Sequence, residues 1–343
     1  MAASTSRERV RERIVELCRS GGPARRLRVA VLDELRRVTR FDAYVFVLTD
    51  PVTCVGCDPL ADVPILDQLP RLIRLKYSTE VNRWTTLTER PVALLREATG
   101  GRPEHSLMWR ELLEPAGIAD VASAVFADRF GCWAFLDLWR AGSPFTEADA
   151  DFLASVAPAV TEALRRSQAA TFALRPVRTD RREPLVLLLS PEMTIRAGTS
   201  ETGDFLRRLL PPPPERSPVP AAAYNVAGQL IAMEAGVDHH PPTARVHLGE
   251  GAWITLRAAR IGDDIAVTIE YATPGERLDV FCRASGLSAR ESSLIEVLAD
   301  GVDTREAATR LHVSRHTVQD HLKSIFEKTA THSRRQLLAR AIG

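Results

Sequence analysis

The chain has 343 residues, 45% hydrophobic and 26% charged, a globular composition long enough for two or three domains. Its net charge of +1 argues neither for nor against a polyanionic partner, so local charge has to decide. Five scattered cysteines, Cys18, Cys54, Cys57, Cys132 and Cys282, argue against a disulfide framework and suit a reducing compartment; no apolar run approaches membrane-span length.

The Arg-rich N-terminus carries Glu8, Glu12 and Glu16 and lacks an apolar core segment, so neither a secretory signal nor a transit peptide fits. The expectation is a soluble cytoplasmic protein. Val10, Ile14, Leu17 and Cys18 fall at helical spacing and predict a helix over 7–19, ended by "SGGP". A second helix is predicted over 25–39, with Leu27, Val31, Leu35 and Val38 inward. "FDAYVFVLTD" reads as a strand, "DPVTCVGCDPLADVP" as a hairpin or loop, and 66–78 as a helix. The stretch 85–117, punctuated by Pro91, Gly100, Gly101, Pro103 and Pro115, reads as irregular. Strands at 118–128 and 132–141 flank the short turn "RFG". Thr146 then caps a helix with an acidic first turn and a basic last turn, which complements its dipole.

This layout over 25–167, closed by "SPFTEADADFLASVAPAVTEAL", resembles a GAF domain. The resemblance implies a central antiparallel sheet that binds a small ligand or mediates dimer contacts. After a basic, Pro-punctuated linker come two strands and a helix in "LVLLLSPEMTIRAGTSETGDFLRRLLP", a proline run, a helix at 221–233 and a meander of two or three strands. That order is PAS-like. The reading is a multidomain α+β chain: N-terminal helix 1–22, GAF-like α/β sensor domain 23–168, linker 169–183, small PAS-like α+β domain 184–275, linker 276–285, and an all-α four-helix helix-turn-helix domain 286–343.

The C-terminal region carries the clearest signals. "SARE" and "SRRQ" are capping boxes, "DTRE" can serve likewise, and Ser314 can N-cap a longer helix. In that helix Val318, Leu322, Ile325 and Phe326 form an apolar stripe opposite Arg315, His316, Gln319, Asp320 and Lys323. A short helix, a tight turn and a longer amphipathic helix suit a DNA major groove. Arg315, Lys323, Lys328, Arg334, Arg335 and Arg340 outnumber Asp320 and Glu327, so this end is locally basic.

Leu287, Arg290, Glu291, Leu298, Gly301, Glu306, Ala308, Leu311, Val313, Ser314, Thr317, Val318, His321, Ile325, Phe326 and Lys328 make 286–342 resemble the DNA-binding domain of LuxR-type transcriptional regulators. The resemblance implies dimeric binding to pseudo-palindromic double-stranded DNA. It places Thr317, Gln319, Asp320 and Lys323 at base-facing positions and Ser314, Arg315, His321 and Lys328 at phosphates. Gln319 departs from the family, where lysine is usual; glutamine suits adenine. The expected partners are DNA, a second copy of the chain, a small-molecule ligand in the GAF-like domain and RNA polymerase, with no membrane, no cofactor and no metal.

Other features carry less. Cys54 and Cys57 form C-x-x-C without a second ligand pair and read as a loop with two thiols; "DHHPP" at 238–242 reads as a solvated loop. Trp84, Met108, Trp109, Trp133 and Trp139 are core residues first and pocket candidates second. No phosphate-binding loop or G-x-S-x-G motif occurs, so the chain reads as a regulator and not an enzyme. Two alternatives stay open: an enzymatic or redox/metal-sensing N-terminal region fused to a DNA-binding tail, and N-terminal domains that only dimerise.

Overall fold

The computed structural model describes residues 2–173, 185–202, 221–249 and 251–343. It divides into two compact units. The first comprises 1–164, 182–246 and 255–270, the second 165–181, 247–254 and 271–343.

In the first unit, α1 (Ala2–Ser20) and α2 (Ala24–Leu35) precede β1 (Ala43–Thr49) and β2 (Gly56–Asp62), an antiparallel hairpin. Then come α3 (Leu69–Ser78), β3 (Val92–Leu94), α4 (Leu95–Ala98), β4 (Asp120–Asp128), β5 (Gly131–Arg140) and α5 (Glu147–Ala170). The strands form one antiparallel sheet in the order β2-β1-β5-β4-β3. Val45 lies opposite Asp137 and Val47 opposite Phe135 on one face; Phe46 lies opposite Leu136 on the other. Both faces of β4 and β5 are buried, which is why these strands read as unbroken apolar runs. Thr146 caps α5 as expected, its hydroxyl accepting from the Asp149 amide at 3.2 Å.

The stretch 85–117 is not irregular. Besides β3 and α4 it holds a 3₁₀ turn at Pro103–His105 and a π turn at Trp109–Leu113. β3 exists because it pairs with β4, a tertiary contact with no local sequence signal.

The second sheet follows the order β7-β6-β10-β9-β8, from β6 (Leu185–Leu189), β7 (Ile195–Gly198), β8 (Thr243–His247), β9 (Trp253–Ile261) and β10 (Asp264–Tyr271). α6 (Ala221–Glu234) lies between β7 and β8 in the chain. The helix expected after β7, the proline run, residues 174–183 of the expected linker and Glu250 of the "GEG" turn lie outside the described residues.

Residues 23–164 and 185–246 fall in one compact unit. Two buried ion pairs join them. Arg245 clamps Asp50 through Nε at 2.7 Å and a terminal nitrogen at 2.8 Å, and Arg83 Nε meets Asp238 at 2.8 Å. Paired this way, buried charges are held by hydrogen bonds on both partners, whereas either one alone would be strongly destabilising. α6 packs closely on α3, since a Cβ added at Gly228 would sit 3.1 Å from the Tyr77 ring.

The second unit contains α7 (Pro274–Ala284), α8 (Ala289–Ala299), α9 (Thr304–Arg310), α10 (Arg315–Thr329) and α11 (Arg334–Ala341). The expected linker at 276–285 is therefore mostly α7. Thr273 and Glu276 form its capping box, and Leu278, Phe281 and Cys282 share one core with Leu294, Leu298, Val318 and Ile325. The linker expected from 169 is likewise shortened: α5 continues to Ala170, and Phe172 stacks on Trp253 with ring centroids 4.9 Å apart.

Candidate nucleic-acid interface and apolar cleft

The four C-terminal helices begin where their capping signals predict. Ser288, Asp303, Ser314 and Ser333 each accept a hydrogen bond from the backbone amide three residues on. Between α9 and α10 the chain turns at His312, whose φ is 53°. The Val313 amide returns to the Ala308 carbonyl at 3.0 Å, closing α9 with a Schellman turn that sets α10 at its angle.

Val318 and Ile325 are buried, and Leu322 and Phe326 pack against the same core. Arg315, Gln319 and Lys323, at i, i+4 and i+8, are exposed with His316 and Asp320. Thr317 and His321 are half-buried at the edges of this face. Ser314 is exposed, its hydroxyl 2.9 Å from Thr317 Oγ1. The ion pair formed by Asp320 is with His316 Nε2 at 3.7 Å, one turn back, and not with Lys323 or Arg315.

Lys328 falls four residues beyond Ser324, on the flank that faces α8, and its ammonium contacts both oxygens of Glu291 at 2.8 and 2.7 Å. Ser324 donates to the same carboxylate at 2.6 Å and the Ser288 amide at 2.7 Å. This donor set holds the Glu291 carboxyl down at about 2, against the opposing effect of burial. Lys328 is thus a strut between α8 and α10. Arg340, which composition assigned to the basic surface, caps α10: its guanidinium donates to the Thr329 carbonyl at 3.0 Å.

The first unit contains a narrow apolar cleft with a cavity volume of about 50 Å³. Val45, Val47, Leu72, Ile73 and Trp139 are among its lining. Its polar lining residues are Lys76, Asp137, Tyr77 and Asn225. Lys76 Nζ sits 2.7 Å from Asp137 Oδ2, and Ser123 donates to Asp137 Oδ1 at 2.7 Å. The ammonium also lies 5.7 and 5.6 Å from the Trp84 and Phe135 ring centroids. Of the five residues singled out as pocket candidates, Trp139 lines this cleft; Met108 and Trp109 pack in the core around it, and Trp84 stacks on Phe135. Trp133 is buried, its indole donating to Asp128 at 3.0 Å. Sequence reasoning missed Lys76 and Asp137, whose separation of 61 residues leaves no pattern.

One loop reading also changes. Asp238 of "DHHPP" is buried among donors, not solvated. Cys54 and Cys57 do not act as a pair: the Cys57 thiol donates to the Leu48 carbonyl at 3.3 Å, while Cys54 lies 3.8 Å from His240 Nε2.

Residues 285–341 match the GerE family, described as bacterial regulatory proteins of the luxR family. The C-terminal region is a luxR-type domain. The transcriptional regulatory protein DesR of Bacillus subtilis (strain 168) is 28% identical over 86 residues, 23% of this chain and 43% of DesR. The matched segment thus spans less than half of that relative. A crystal structure of Escherichia coli SdiA covers 96% of this chain and 94% of its own at TM-score 0.35 and 12% identity, too slight a likeness to class the first unit. Among the described residues, no helix is long and apolar enough to cross a membrane.

Proposed function

We propose that the protein is a DNA-binding transcriptional regulator that reads duplex DNA as a homodimer through its luxR-type domain. The observation that carries this reading is the luxR-family match over a short helix, a tight turn and a longer helix whose polar face is exposed. Thr317, Gln319, Asp320 and Lys323 face base edges in the major groove; Ser314, Arg315 and His321 meet phosphates. Two-fold symmetry sets the half-sites one helical turn apart, about 34 Å. The test is selection of duplexes from a random pool by the full chain, followed by gel shifts at several salt concentrations. The expected affinity falls linearly on logarithmic axes, by about 0.9 per phosphate contact. Binding to no duplex at low salt removes the reading.

For the first unit we propose a GAF-like sensory role on the cleft beneath the sheet. Its apolar walls and the Lys76–Asp137–Ser123 cluster suit a small, mostly apolar ligand with one polar head. A ligand bound by the native state raises the melting temperature, whereas a unit that only dimerises shows no shift across a small-molecule library.

A further inference from the structure

The most unusual polar cluster of the first unit centres on Cys54. This residue sits in the β1–β2 turn with φ 59°, a left-handed conformation rare for a side-chain-bearing residue. Two bonds hold it there: its amide donates to the Asp50 carbonyl at 3.0 Å, and the Trp84 indole donates to its carbonyl at 2.9 Å. The thiol is therefore presented from a fixed backbone.

Facing it is an oriented imidazole. His240 Nε2 lies 3.8 Å from Cys54 Sγ, and Nδ1 lies 2.7 Å from Asp238 Oδ1. Asp238 is buried and held by Arg83 Nε at 2.8 Å, Thr85 Oγ1 at 2.8 Å, Gln229 Nε2 at 3.1 Å and the His240 amide at 2.8 Å. Thiol, imidazole and carboxylate thus stand in series, the arrangement that activates a nucleophile. The carboxylate pushes His240 up to about 10, so the ring is an imidazolium at neutral pH with its Nε2–H toward sulfur.

A second thiol completes the group. Cys132 is buried in β5, beside the turn that carries Cys54. Its amide donates to the Pro51 carbonyl at 3.1 Å, stitching β5 to the turn that carries Cys54. A Cβ added at Gly131 would sit 2.4 Å from the Pro51 oxygen, so the two turns are in close contact.

We propose that Cys54, His240 and Asp238, with Cys132 as resolving thiol, form a reactive site for hydroperoxides. The Cys54 thiolate attacks the terminal oxygen of ROOH. An S–O bond forms, the O–O bond breaks, and the leaving alkoxide takes the proton of the His240 imidazolium to become ROH. Cys54 is then a sulfenic acid. Cys132 attacks its sulfur, an S–S bond forms, and hydroxide leaves with the Cys132 proton as water. Two thiols are oxidised to one disulfide while ROOH is reduced to ROH and water. The site stands on residues of the first unit and does not depend on DNA binding.

The test treats the reduced full chain with hydrogen peroxide at neutral pH and follows all five cysteines by alkylation and mass spectrometry. Cys54 should oxidise at least about ten times faster than Cys18, Cys57 and Cys282, and a Cys54–Cys132 disulfide peptide should accumulate. In Cys132→Ala, the sulfenic acid at Cys54 should persist and be trapped by dimedone. Replacing Asp238 removes a buried ion-pair partner and endangers the fold, so His240→Asn and His240→Gln are the variants of choice. Each should slow Cys54 oxidation about ten-fold, read at a temperature where circular dichroism shows wild type and variant equally folded. Equal rates at Cys54 and Cys57, a disulfide joining Cys54 to Cys57, or full reactivity without His240 would each overturn the proposal.

Discussion

Replacing Glu291 by glutamine removes one negative charge and leaves the side chain its shape. In the native state this carboxylate is buried and accepts from Ser288, Ser324 and Lys328. Folding lowers its pKa from 4.5 to about 2. At about 1.36 kcal/mol per pH unit, the ionised form contributes at most about 3 kcal/mol of stability. Lys328 is 38% exposed at its side chain, so water screens part of this, and about 2 kcal/mol is the working figure. The variant keeps part of the Ser324 bond but strands a lysine against a neutral amide. Hydrogen exchange in the full chain at neutral pH reports the loss directly: the α10 amides should exchange about 30 times faster, since 1.4 kcal/mol is a factor of ten. Amides of β1 and β5 in the other unit should keep their rates. The same carboxylate sets an acid limb. Its folded pKa lies below its unfolded one, so its contribution is fully present above pH 4.5 and is lost as pH falls toward 2. The wild-type chain should lose its advantage over Glu291→Gln across that window. A change of less than three-fold in α10 exchange would refute the strut.

Lys323→Ala should weaken binding of the full chain to its selected duplex and relax base preference with the salt slope unchanged, as its base-edge position requires; a slope reduced by about 1 per subunit would place the ammonium at a phosphate and contradict this. Asp320→Ala should relax sequence preference while leaving or raising overall affinity, because it removes an acid from a phosphate-lined groove; complete loss of DNA binding with an intact fold contradicts this. Ala330 closes α10 in the left-handed region at φ 49°. Ala330→Gly should relieve about 1 kcal/mol of strain, partly offset by the greater freedom of glycine in the unfolded chain. A lower melting temperature would show that the Cβ makes a compensating contact.

The C-terminal domain was legible in the sequence because its signals are local. Each helix start is a capping residue three positions before the amide it binds, and the 3.6-residue period of Val318, Leu322, Ile325 and Phe326 names the buried face without tertiary help. The hairpins of the first sheet were legible for the same reason, since alternation and turn residues are short-range. The local code was also incomplete. Lys328 looked like one more basic residue beside DNA, and 276–285 looked like a linker, because nothing nearby in sequence records that Glu291 or the helical core is waiting. Other features lie wholly beyond local pattern. Cys54 meets His240 across 186 residues, Arg245 meets Asp50 across 195, and Arg83 meets Asp238 across 155. Buried polar groups need partners, but the partner is chosen by whichever chain segment the fold brings within 3 Å. Helix type, phase and caps are properties of neighbouring residues, and the sequence alone determined them. Which thiol faces an imidazole, and which lysine is spent on holding α10, only the tertiary structure decided.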